Sequence, residues 1–104
     1  MSLLRLHRLE LKRAEEQVVR LRNKISGLSS KIGEKEDDHR RAKTPSEKNR
    51  LARQISHLQD QRDDAKRVLI HHEKRASDCR RKIAHDEQAE QKKRDELQKR
   101  TLRH

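Results

Sequence analysis

The chain has 104 residues, 29 of them Lys or Arg and 18 Asp or Glu, for a formal net charge of +11. Charged side chains make up 45% of it, apolar ones 28%, and there is no Phe, Tyr or Trp. That composition excludes a compact globular core, and no apolar run approaches the roughly 20 residues that cross a bilayer. Two Gly and one Pro also exclude a turn-rich β protein. What remains is a disordered basic chain or long helices joined along a narrow seam, and hydrophobic periodicity decides between them.

The first residues, MSLLRLHRLELKR, carry leucines interrupted by Arg5, His7, Arg8 and Glu10, so they lack the continuous apolar stretch of a signal peptide. The single cysteine, Cys79, excludes an intramolecular disulfide. A cytoplasmic location is the expectation. From Leu4 onward a heptad pattern runs through Leu4, Leu11, Val18, Ile25 and Ile32, with His7, Ala14, Leu21 and Leu28 three residues after each of the first four. Eight of these nine positions are apolar, which a disordered polyelectrolyte has no reason to maintain, so the stretch reads as a coiled-coil helix. The seam decays at Lys35 and His39, and the expected helix spans 3–39. Its weak part is Ser26-Gly27-Leu28-Ser29-Ser30 with Gly33, residues of poor helix propensity.

A turn is expected over 40–44. Thr44-Pro45-Ser46-Glu47 has the chemistry of a helix start: Thr44 to cap, Pro45 preorganised for the first helical position, Glu47 to close a capping box. The second seam passes through Leu51, Ile55, Leu58, Arg62, Ala65, Leu69, His72, Ala76 and Cys79, seven of nine apolar. It is out of phase with the first, so one uninterrupted coiled coil does not fit. The fold class expected is all-α: an antiparallel coiled-coil helical hairpin with a longer second helix, forming one unit over 1–104.

Two registers are compatible with the turn. One, centred on Pro45, sets Lys35 against Ile55 and His39 against Leu51, with Arg8 flanking Arg80 and Glu15 flanking Glu73. The other, centred between Arg41 and Ala42, sets Leu4 against Cys79, Leu11 against His72, Leu21 against Arg62, Ile25 against Leu58 and Ile32 against Leu51. It brings Arg8 to Glu73 and Glu15 to Lys66. The second has fewer polar layers and better flanks, and is the register expected. It gives a paired arm on the order of 50 Å, with 45–79 as the paired part of helix two. Residues 80–104 are then a charged extension without a partner on helix one. Ala14, Ala65 and Ala76 make its core thin, so reliance on association is expected.

No Gly-rich phosphate loop, GxSxG, paired Cys motif or HExxH is present. The histidines lack i, i+4 pairs, and His57, His71 and His85 recur at intervals too long to share an ion. No catalytic residue, cofactor or metal is expected. The candidate association seam is Leu4, Leu11, Val18, Leu21, Ile25, Leu28, Ile32, Leu51, Ile55, Leu58 and Leu69. Candidate contacts to a partner are the off-seam Leu3, Leu6 and Leu9 and, on the extension, Ile83 and Leu97. Arg5, Arg8, Lys12, Arg13, Lys74, Arg75, Arg80, Arg81 and Lys82 form a basic collar in the expected register, the candidate phosphate contacts. Acidic residues alternate closely with these cations and no aromatic can stack a base. Nucleic-acid binding is therefore the runner-up to protein association or oligomerisation.

The segments MSLLR, AKTPSEKNRLARQISHLQDQ and DEQAEQKKRDELQKR resemble an N-terminal charged helical-hairpin module of bacterial multidomain proteins. In that family the hairpin precedes an effector domain, often of the TIR (Toll/interleukin-1 receptor-like) type associated with antiphage defence. The resemblance implies oligomerisation of an attached or partner effector domain. These 104 residues hold no such domain, so no catalytic residue is carried over.

Overall fold

A computed structural model describes residues 2–102. Among them are two helices and no strand: α1, Leu3–Arg41, and α2, Pro45–Leu102. The all-α hairpin follows from the sequence as expected, and its local punctuation can be read atom by atom. Ser2 caps α1, its Oγ accepting from the Arg5 N–H at 3.2 Å while its carbonyl accepts from Leu6. Thr44 does the same for α2: its Oγ1 accepts from the Glu47 N–H at 3.2 Å and its carbonyl from Lys48. Pro45 occupies the first helical position, where a missing N–H costs nothing.

α1 continues two residues beyond the expected end. The Ala42 N–H donates to the Asp38 carbonyl at 2.9 Å, which completes the last turn. His39, Arg40 and Arg41 in that turn complement the negative end of the helix dipole, and Arg40 pairs with Asp37. The connection is thus Ala42, Lys43 and Thr44. The chain divides into two compact units: Met1–Glu16 with Glu73–His104, and Gln17–His72. Each unit holds a stretch of both helices.

In the first unit, His7 and Arg8 near the start of α1 meet residues 86 and 87 of α2, and Glu10 and Glu15 further along meet the earlier residues 79 and 80. His7 meets Asp86 at 2.7 Å, Arg8 meets Glu87 at 3.1 Å, Glu10 meets the Cys79 thiol at 3.9 Å, and Glu15 meets Arg80 at 3.1 Å. The helices are therefore antiparallel. Leu4, Ala14, Ala76 and Cys79 are buried, and His7, Leu11, Ile83 and Asp86 half-buried. In the second unit the Arg62 guanidinium donates to Ser29 Oγ at 3.4 Å. Val18, Leu28, Ile32, Leu51 and Ala65 are buried there, with Leu21, Ile25, Lys35, His39, Ile55, Leu58, Leu69 and His72 half-buried. The expected seam positions thus form the interior of both units.

The register is displaced by one heptad from the expected one. Cys79 lies beside Glu10 rather than Leu4, and Arg62 beside Ser29 rather than Leu21. This is the alternative centred on Pro45, and its physical advantages are visible. Lys35, His39 and Ala42 remain in the seam instead of ending it. The polar seam residue His7 gains a polar partner in Asp86. The flanks pair Arg8 with Glu87 and Glu15 with Arg80, not the like-charged pairs that made this register unattractive.

Two measurements check this packing. Leu11→Cys should be joined to the native Cys79 within one chain by a short thiol crosslinker, whereas Leu11→Cys with His72→Cys on a Cys79→Ala background should not. Gly27 and Gly33 lie inside α1, and a Cβ on either would meet nothing within 4 Å. Gly27→Ala and Gly33→Ala should each stabilise the protein by about 0.5–1 kcal/mol in urea unfolding followed by circular dichroism.

Candidate functional site

The displaced register changes what the candidate residues do. α2 is paired with α1 as far as Glu87, so the uncovered part of α2 begins after that residue rather than at 80. Residues 103 and 104 of the expected extension lie outside the described residues. From Glu87 to Leu102 every residue is exposed. Ile83, expected to await another chain, is instead half-buried in the seam of the first unit. Leu97 keeps its expected place on an uncovered face and is 61% exposed; Leu102, which the sequence pattern does not single out, is 86% exposed. Leu3, Leu6 and Leu9 are exposed as expected.

All nine cations of the collar belong to the first unit and are exposed. Three of them are engaged. Arg8 pairs with Glu87, Arg80 with Glu15, and Arg81 with Asp78. Arg5, Lys12, Arg13, Lys74, Arg75 and Lys82 have no ion pair among the described residues. The collar is thus a mixed-sign surface, poorer in available charge than its composition suggests.

The most specific side-chain cluster surrounds His7. A carboxylate can only accept, so the His7 Nδ1–H donates to Asp86 Oδ2. An open groove beside this pair is lined by Asp78, Arg81, Lys82 and His85. His85 Nδ1 is 3.9 Å from the other Asp86 oxygen, beyond hydrogen-bond distance. Among the described residues no three His, Cys, Asp or Glu side chains converge as a metal set. The chain's one thiol, Cys79, lies outside this cluster, buried at 2% exposure and facing the carboxylate of Glu10. The His7–Asp86 bond joins α1 to α2.

In the second unit Arg62 and His72 are the polar intruders in the seam. Arg62 Nε and His72 Nδ1 are buried without a hydrogen-bond partner. Arg62 still reaches Ser29 through its terminal nitrogen, whereas the His72 ring stacks edge-on to its neighbour His71, centroids 5.4 Å apart.

No family model, curated protein or solved structure matches the chain. No helix among the described residues is long and apolar enough to cross a membrane.

An unpaired buried nitrogen costs about 1–3 kcal/mol. His72→Leu should therefore raise the stability of the isolated protein, by about 1–2 kcal/mol in urea unfolding. A loss of stability on this substitution would mean that the ring nitrogen has a partner that the unpaired seam position does not provide.

Proposed function

We propose that this chain is a non-enzymatic helical hairpin that mediates protein–protein association, and that the uncovered part of α2 after Glu87 is its docking element. One observation carries the reading: fifteen consecutive exposed residues, 88–102, on a continuous helix. An isolated helix of this length is marginal in water, so a covering partner is the physical means of holding it. Leu97 continues the seam phase of Ile83 at a spacing of fourteen residues, as a coiled-coil contact requires. Leu102, five residues on, lies about 140° around the helix from Leu97 and adds exposed apolar area outside the seam phase.

Self-association is the first form of the proposal. Association with an effector domain, on the same or another chain, is the second and rests on the resemblance of the sequence to bacterial hairpin modules of antiphage defence. A cytoplasmic location is part of the same reading, in keeping with the free, buried Cys79. Nucleic-acid binding by the basic collar has less support, because Arg8, Arg80 and Arg81 already hold carboxylates.

Light scattering tests the first form. The wild-type chain should exceed its 12.5 kDa monomer mass as concentration rises, with increasing amide protection over 88–102. Leu97→Ser with Leu102→Ser should return it to monomer while leaving the helical signal of the hairpin intact. An unchanged mass distribution in the double variant would move the association surface elsewhere, Leu3, Leu6 and Leu9 being the next candidates.

A further inference from the structure

The connecting end of the second unit concentrates positive charge that folding does not use. Between residues 40 and 53 stand six cations, Arg40, Arg41, Lys43, Lys48, Arg50 and Arg53, against one carboxylate, Glu47. All are exposed. Arg40 pairs with Asp37, and the other five have no ion pair among the described residues. The seam here is made by His39, Ala42 and Leu51, so none of the six fills the interior.

Helix electrostatics accounts for two of the six. Arg40 and Arg41 lie in the last turn of α1, where cations are favoured. Lys48 and Arg50 lie in the first two turns of α2, where the dipole favours anions and only Glu47 answers it. Arg53 follows one turn from Arg50. Like charges crowded on a three-residue connection and its flanking turns repel one another. A bound polyanion would relieve both the repulsion and the mismatch with the dipole.

The chemistry of the surface selects the polyanion. Four of the six cations are arginines, whose planar forks match phosphate oxygens. They lie on both sides of the connection, spanning two helices packed about 8–10 Å apart, a width comparable to the roughly 12 Å major groove between phosphate strands. The chain has no aromatic residue to stack an unpaired base. None of the exposed large apolar residues falls between 40 and 53, so no apolar side chain here can insert below a lipid headgroup layer. We infer that the hairpin end of the second unit, Arg41, Lys43, Lys48, Arg50 and Arg53 above all, binds the phosphate backbone of duplex nucleic acid without reading bases. The inference is independent of the docking role of α2.

Fluorescence anisotropy with a labelled duplex oligonucleotide and the full chain tests it across a salt series. Lys43→Gln, Arg50→Gln and Arg53→Gln together should weaken binding at least about ten-fold at low salt and flatten the salt slope by about two to three. Lys74→Gln, Arg75→Gln and Lys82→Gln remove the same charge from the collar and should cost much less. The first variant should melt no lower than wild type, since it removes repulsion, and this separates lost contacts from lost fold. Equal losses in both variants would overturn the inference in favour of diffuse net charge. A loss confined to the collar variant, or no wild-type binding at low salt, would overturn it too. So would binding to phosphatidylserine/phosphatidylcholine vesicles without binding to the duplex.

Discussion

A chain without an aromatic residue cannot fill a three-dimensional core, and the rest of this structure follows from that constraint. Its apolar side chains suffice for one stripe per helix, and one stripe can be hidden only against another. Each fully buried Leu, Ile or Val contributes about 1.5–3 kcal/mol. The buried set is small, and Ala14, Ala65 and Ala76 belong to it. Alanines give little area, so the fold depends on length of pairing rather than depth. That is why polar residues such as Lys35, His39, Arg62 and His72 are tolerated in the seam: keeping it continuous outweighs local desolvation.

The seam, the capped start at Thr44–Pro45 and the all-helical class were legible because each rests on local chemistry. Register was not, because a heptad pattern is unchanged by a slip of one heptad. Layer composition favoured Leu11 opposite His72, yet the structure sets Cys79 beside Glu10 and pairs His7 with Asp86. The flanks could have corrected this, but their offset depends on how two helices lean against each other. Counted toward the turn, Arg8 faces Arg80; in the structure it reaches the next heptad away and finds Glu87, as Glu15 finds Arg80. The consequence for the candidate site was direct. Three collar cations became structural, Ile83 moved into the interior, and the uncovered helix shortened.

Function in such a molecule resides in what the pairing leaves over. Within the first unit that is the exposed stretch of α2 after Glu87, which carries Leu97 and Leu102. Within the second it is the uncompensated charge around the connection. Neither feature stabilises its own unit: the first is a solvated helix, and the second is like charge held together by a turn. Both are costs that a partner would offset, a protein surface in one case and a phosphate backbone in the other. The best-defined titratable cluster, His7 with Asp86, is an interhelical bond of the first unit.

The contacts between α1 and α2 depend on the register, and charge reversal at Glu15 and Arg80 tests it most directly. Each residue of the pair is about half exposed, so the expected coupling is modest, about 0.2–1 kcal/mol. At low ionic strength Glu15→Arg alone and Arg80→Glu alone should each lower the thermal midpoint by setting like charges against each other. Glu15→Arg with Arg80→Glu should recover most of the loss. If the double reversal melts as low as the two single losses added together, Glu15 and Arg80 do not face each other and the register is wrong.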